Sequence, residues 1–211
     1  MTKGLFITFE GGEGTGKSTQ IKLARDYFES LGREVVQTRE PGGTSGAEEI
    51  RALLLKGGKD RWDKITEILL FSAARRDHLQ KLILPAIAAG KIVLSDRYAD
   101  STMAYQGYGY GADTYILSVL KDLYKIIAGD FVPDLTVILD IDPKIGVMRS
   151  MKRAGNDEQR FENMQVDFHE NLRRGFLEIA RENPGRCAIV SADAPIEKVH
   201  ESVIAVFKER L

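Results

Sequence analysis

Five short apolar runs punctuate the chain, and between them apolar residues recur at helical spacing. Leu5-Phe6-Ile7-Thr8-Phe9 runs into glycines and predicts a strand buried on both faces. Ile21, Ala24, Phe28 and Leu31 then mark one side of a helix, with Gly32 as its C-terminal cap. A second strand spans 34–38 and ends at Pro41-Gly42-Gly43. A helix over about 45–55 stops at Gly57-Gly58. From 62 to 84 runs a longer helix, with Ile65, Ile68, Leu69, Ser72, Leu79 and Leu82 near one face, which Pro85 bends or ends. Strands are expected at 91–95, 135–139 and 188–190, and helices around 101–105, 115–127, 143–153 and 162–181. Ile196, Val199, Val203 and Phe207 mark a closing amphipathic helix.

Strands alternating with helices predict βαβ units, hence a parallel sheet with helices on both faces. In such sheets ligands bind beyond the C-terminal ends of the strands, so the residues that follow each strand carry the functional signal. Composition narrows the class. A chain of 211 residues, 43% hydrophobic and 29% charged, predicts one globular domain, 1–211. A net charge of −1 shows no basic excess for a nucleic-acid partner. No apolar run approaches ~18 residues, so no transmembrane helix is expected. One cysteine excludes an internal disulfide, and with no signal-peptide pattern at the N-terminus this predicts a cytoplasmic protein.

The first strand is followed by Gly11-Gly12-Glu13-Gly14-Thr15-Gly16-Lys17-Ser18-Thr19, which matches G-x-x-x-x-G-K-[ST] between a strand and a helix. Glycines let backbone N–H groups curl around phosphates, and the helix N-terminus adds positive potential. Lys17 can reach the β- and γ-phosphates, and Ser18 can ligate Mg2+. The pattern serves ATPases, GTPases and kinases alike. No Asn-Lys-x-Asp guanine reader follows the fourth strand, which ends Leu139-Asp140-Ile141-Asp142-Pro143. Ser95-Asp96-Arg97-Tyr98 follows the third strand, where Asp96 is suited to Mg2+ and Arg97 to a phosphate, or the two form an ordinary surface ion pair. Phe71 and Arg75 share a helix face, as do Ser101 and Tyr105, and Thr102 and Gln106. Each pair could line a nucleotide pocket or be an ordinary core-and-surface pair. Residues 149–162 are charged and apolar-poor, with Arg149, Arg153 and Arg160 around Gly155-Asn156-Asp157. They read as a mobile lid or as a solvated hairpin tip. His78, His169 and His200 have no metal-ligand spacing and read as structural.

Taken in order, Phe9–Thr19, Thr38-Arg39-Glu40-Pro41-Gly42-Gly43-Thr44, Phe71-Ser72-Ala73-Ala74-Arg75 and Asp96-Arg97-Tyr98 with Ser101, Tyr105 and Gln106 resemble the thymidylate kinases. The resemblance implies the P-loop nucleoside monophosphate kinase fold, α/β, with five parallel strands in the order 2-3-1-4-5. It implies phosphorylation of dTMP by ATP with Mg2+, on the way to dTTP, in a homodimer. It puts ATP on residues 11–19 with Arg149, and dTMP on Glu13, Arg51, Phe71, Arg75, Arg97, Ser101, Tyr105 and Gln106. Glu13 would face the sugar 3′-hydroxyl, Phe71 would stack on thymine, Arg75 would bond its carbonyl edge, and Tyr105 would crowd the 2′ position. Lys17, Arg97 and a lid arginine, Arg153, would meet the charge of the transferred group. The phosphate loop holds no basic residue among Gly12, Glu13, Gly14 and Thr15, so the chain resembles the bacterial branch that keeps this arginine in the lid.

Overall fold

The computed structural model describes residues 3–56, 61–152 and 166–211. Five strands, β1 (Leu5–Glu10), β2 (Val35–Arg39), β3 (Ile92–Asp96), β4 (Leu135–Asp140) and β5 (Cys187–Ser191), form one parallel sheet in the order β2-β3-β1-β4-β5. The order matches the expectation. It puts β1 at the centre, with the strand order reversing beside it, where ligands of doubly wound sheets bind.

Alternation along each strand sorts the two faces. Ile7, Phe9 and Leu94 pack under α1 (Lys17–Ser30) and the C-terminal helix Ile196–Arg210, against Ile21, Phe28, Val203 and Phe207. Phe6, Val93 and Ile138 face the other way. There they meet the π-helical turn Leu79–Ile83, Tyr98, and the long helix Val166–Glu182 through Leu172 and Phe176. Helix α1 closes as its sequence predicts: Gly32, at φ 74°, donates to Glu29 O at 2.9 Å, a glycine C-terminal cap. Cys187 is buried and unbridged, and burial pushes its thiol up to about 12.

Helix α2 (Ser45–Leu55) matches its predicted span, capped by the Thr44 hydroxyl. The next segment does not run as one helix to Leu84. Helix α3 (Lys64–His78) passes into the π-helical turn Leu79–Ile83 and then a short α4 (Leu84–Ala88). Pro85 neither ends nor breaks the path, because it lies in the first turn of α4, where no intrahelical N–H is needed. The buried stripe of α3 also differs from the apolar pattern. Ser72 is buried as expected, but Leu69 is 49% exposed, while Glu67, Arg75 and His78 are buried. That face of α3 is polar because it backs a site.

After β3 come α5 (Ala99–Thr102), a π-helical turn Met103–Gly107 and a 3-10 turn Tyr108–Tyr110. Helix α6 follows (Thr114–Ala128), capped by Asp113. Helix α7 (Pro143–Met151) ends two residues short of the predicted boundary, and α8 is the helix Val166–Glu182. Arg153, Arg160 and most of the expected lid lie outside the described residues. With α9 as the C-terminal helix, the described elements are complete. No helix among them is long and apolar enough to cross a membrane.

Candidate active site

The phosphate loop links β1 to α1. Gly11 and Gly14 sit at φ 129° and 66°, conformations that L side chains rarely adopt. A Cβ on Gly11 would run into Leu139 O, and one on Gly14 into Gly146 O of α7. Glycine is therefore required twice over, by the turn and by the close approach of β4 and α7. Lys17 Nζ folds back into the loop, donating to Gly11 O at 3.1 Å and Gly12 O at 2.8 Å. Burial, with the Arg97 cation nearby, lowers Lys17 to about 8, against the pull of Asp96 and Glu13. Ser18 Oγ donates to Asp96 Oδ2 at 2.9 Å, joining the start of α1 to the end of β3. Thr19 lies one residue further into α1, its N–H on Gly16 O.

Arg97 ties this loop to the next wall. It is a non-glycine residue at φ 71°, a conformation that costs of order 1–3 kcal/mol and marks an over-determined position. Its N–H bonds Phe9 O at 3.0 Å, its Nη1 donates to Gly11 O at 3.0 Å and Ser101 Oγ at 3.1 Å, and its Nη2 reaches Glu13 Oε1 at 3.2 Å. The guanidinium lies 4.8 Å from the Tyr105 ring centroid, and the Tyr105 hydroxyl also donates to Glu13. Burial pushes the Glu13 carboxyl up, but Arg97 and Lys17 outweigh it and hold it below the ordinary value. Behind them, Glu10 is fully buried and accepts from Tyr98 N at 2.7 Å and from Ser101 Oγ. Burial and the neighbouring Asp100 raise it to about 8.

A cleft of about 180 Å³ opens beside the loop. All eight residues expected at an acceptor nucleotide line it: Glu13, Arg51, Phe71, Arg75, Arg97, Ser101, Tyr105 and Gln106. Arg51 Nη1 is anchored on Pro41 O at 2.8 Å. Arg75 is only 4% exposed and largely committed within the protein. Its Nε bonds Glu40 at 2.7 Å, and its Nη2 bonds Thr102 Oγ1 at 2.7 Å and Tyr98 O at 3.2 Å. Gln106 Nε2 donates to Glu67 Oε1 at 2.9 Å. His78 completes the set, with Nδ1 3.0 Å from Glu40 and Nε2 2.7 Å from Thr38 Oγ1. The sequence pattern places Thr102 with Gln106 as a possible pocket wall, and both line this cleft, but it assigns no site role to Glu40, Glu67 or Tyr98. Glu40 and Tyr98 stand in the strand-end motifs that carry the resemblance, and Glu67 shows only as an acid one residue away from the apolar stripe of α3. A larger hollow of about 290 Å³ lies behind Arg75 and Tyr98, towards α6 and α8. No residue of the phosphate loop lines it, so the smaller cleft is the candidate site.

Arg149 is held away from this cleft, with Nη1 on Ala192 O at 3.0 Å and Nη2 3.6 Å from Asp193, beside the loop that follows β5. A phosphate loop sharing Glu13 and Arg97 with a second, arginine-lined cleft defines a nucleoside monophosphate kinase of the P-loop class. Comparison with known proteins narrows it. The thymidylate kinase family model matches residues 9–203. Thymidylate kinase of Caulobacter vibrioides is 48% identical over 211 residues, covering 100% of this chain and 99% of the relative. That of Jannaschia sp. is 48% identical over 207 residues, covering 98% and 97%. The crystal structure of thymidylate kinase from Ehrlichia chaffeensis superposes with a TM-score of 0.78 at 37% identity, covering 97% of this chain and 99% of that one. The chain belongs to the thymidylate kinase family, whose members phosphorylate dTMP to dTDP for dTTP synthesis.

Proposed function

We propose that this kinase binds the ATP triphosphate on residues 11–19 and dTMP in the adjoining cleft, and that the two phosphates meet at Arg97. The observation that carries this reading is the single 180 Å³ cleft that gathers all eight expected acceptor residues and shares Glu13 and Arg97 with the phosphate loop. Phosphoryl transfer needs in-line positioning and neutralised charge more than covalent help. The acceptor oxygen belongs to an ionised phosphate, so no general base is required, and no histidine is assigned one. Lys17 and Arg97 supply positive charge at the transferred group, with Arg153 of the lid at about 149–162 completing it. Arg51 and Arg97 hold the acceptor phosphate, Phe71 stacks on the base, and Tyr105 crowds the sugar beside Glu13.

Ser18 Oγ and Asp96 Oδ2, 2.9 Å apart at the mouth of the loop, are hard oxygen donors and suit Mg2+. When bound there, the ion neutralises charge on the β- and γ-phosphates. Arg149 reaches towards the β5–α9 loop, a flank where it would meet the ATP nucleoside rather than the phosphates. The enzyme works as a homodimer in the cytoplasm. The test is a panel of nucleoside monophosphates offered with MgATP while ADP release is followed. dTMP should be the preferred acceptor, ADP release should be negligible without an acceptor, and Arg153→Ala should lower kcat more than tenfold. Equal turnover with purine monophosphates would overturn the assignment.

A further inference from the structure

The two side chains that face the base each have one polar atom left over. Arg75 spends Nε and Nη2 on Glu40, Tyr98 and Thr102, and its Nη1 makes no hydrogen bond to a described residue. Gln106 spends Nε2 on Glu67, and its Oε1 makes none. Neither atom is sealed from solvent, and both residues line the cleft. The pocket thus offers the base one donor and one acceptor.

We propose that Glu40 and Glu67, both buried behind the cleft, are positioning residues that fix this donor–acceptor order and so select keto-imide pyrimidines. An amide is nearly symmetric in shape, and only its partners decide which end faces where. Glu67 accepts, so the NH2 of Gln106 turns to it and the carbonyl oxygen is left for the ligand. Glu40, itself held by His78, pins the Arg75 fork so that Nη1 is the nitrogen left over. A donor next to an acceptor matches the O4 and N3–H of thymine or uracil. Cytosine carries an amino donor and a bare ring nitrogen at those positions, so both contacts would be mismatched, and buried polar groups left unpaired discriminate strongly. The inference rests on the reading of the cleft as the site of the monophosphate acceptor.

The test compares kcat/KM for dTMP, dUMP and dCMP at saturating MgATP in the wild-type enzyme, Glu67→Gln and Glu40→Gln. Wild type should prefer dUMP to dCMP by about a thousandfold or more. In Glu67→Gln the facing amides can pair in either orientation, so this preference should fall at least tenfold, through a gain for dCMP, with KM for ATP unchanged. Glu40→Gln should raise KM for dTMP and dUMP together at unchanged KM for ATP. A merely structural role would depress all three acceptors alike and leave the dUMP/dCMP ratio where it was; that result overturns the inference for Glu67, and unchanged acceptor KM overturns it for Glu40. Normal dTMP turnover with the preference intact in both variants sinks only this inference, whereas a wild-type enzyme inactive on dTMP sinks the functional reading itself.

Discussion

Lys17 and Arg75 are both buried cations, and they differ in what balances them. Lys17 rests on backbone carbonyls beside another cation and is lowered to about 8. Bound phosphates would stabilise its ammonium form, so its pKa must be higher in the complex than in the free enzyme. ATP affinity should therefore be full below pH 8 and weaken above it by up to about tenfold per pH unit, until the pKa of the complex is reached. Folding of the free enzyme should respond oppositely: burying the ammonium is a cost below pH 8 that is relieved between about 8 and the ordinary lysine value. Calorimetric ATP titration across pH 7–10 checks the first trend, and a flat affinity refutes it. Arg75, by contrast, is matched by Glu40, and coulombic attraction together with their hydrogen bond offsets its burial. Arg75→Ala should lower kcat/KM for dTMP by ten- to a hundredfold, from a lost charge-assisted bond of about 1.5–3 kcal/mol. It should also lower stability by roughly 3–5 kcal/mol, because Glu40 stays buried without its guanidinium partner and keeps only His78. Chemical denaturation alongside kinetics separates the two effects; an unchanged KM for dTMP would remove Arg75 from the base pocket.

At the scale of elements, the phosphate loop is held from above by α7 as well as from below by the sheet. Gly14 and Gly146 meet without Cβ atoms, and a methyl on Gly146 would press on Glu13 O. Gly146→Ala should therefore push α7 off the loop. We expect KM for ATP to rise about tenfold with KM for dTMP little changed, since a small misplacement of a positioning element carries such a cost. Wild-type kinetics in this variant would show the contact to be slack. None of this contact is visible in the sequence, where Gly146 is simply a weak residue inside a helix. The loop itself is legible, because cradling phosphates demands glycines and a lysine at fixed spacing between a strand and a helix. The strands are legible too, because burial on both faces makes each a short continuous apolar run. Helix α3 is where pattern fails. Its apolar periodicity favours Leu69, yet the chain buries Glu67, Arg75 and His78 and exposes Leu69. Carboxylates gain a buried position only when partners arrive from elsewhere, here Gln106 from the turn after α5 and Arg75 for Glu40. Such partners are set by the tertiary fold and leave no local signature.

The exposure of Leu69 leads to the whole molecule. Helices α3 and α6 pack side by side, joined by Arg76 Nη1 on Ile127 O. On α3, Leu69 is 49% exposed, and on α6, Tyr115 is 67% and Ile126 78% exposed. Tyr115 and Ile126 are three turns apart and share one face of α6. Single exposed apolar residues need no explanation, but we propose that these three, on two adjoining helices, belong to one interaction surface. The proposed homodimer would seat a second copy there, since a two-fold axis through α3 and α6 would pair the patch with itself. The net charge of −1 adds little repulsion between copies. The eight expected acceptor residues all lie on this one chain, so chemistry should survive separation of the protomers. Helix α3, however, carries Phe71 and Arg75 and would lose a packed outer face, loosening the acceptor cleft more than the phosphate loop. Ile126→Glu would put a charge into the proposed interface and, if a dimer forms there, should shift the particle from twice 23.5 kDa to 23.5 kDa by light scattering. In the resulting monomer, KM for dTMP should rise about three- to tenfold while KM for ATP holds, as local stability at α3 falls. A wild-type enzyme that is monomeric at micromolar concentration, or an Ile126→Glu variant that stays dimeric, would assign the patch to some other contact.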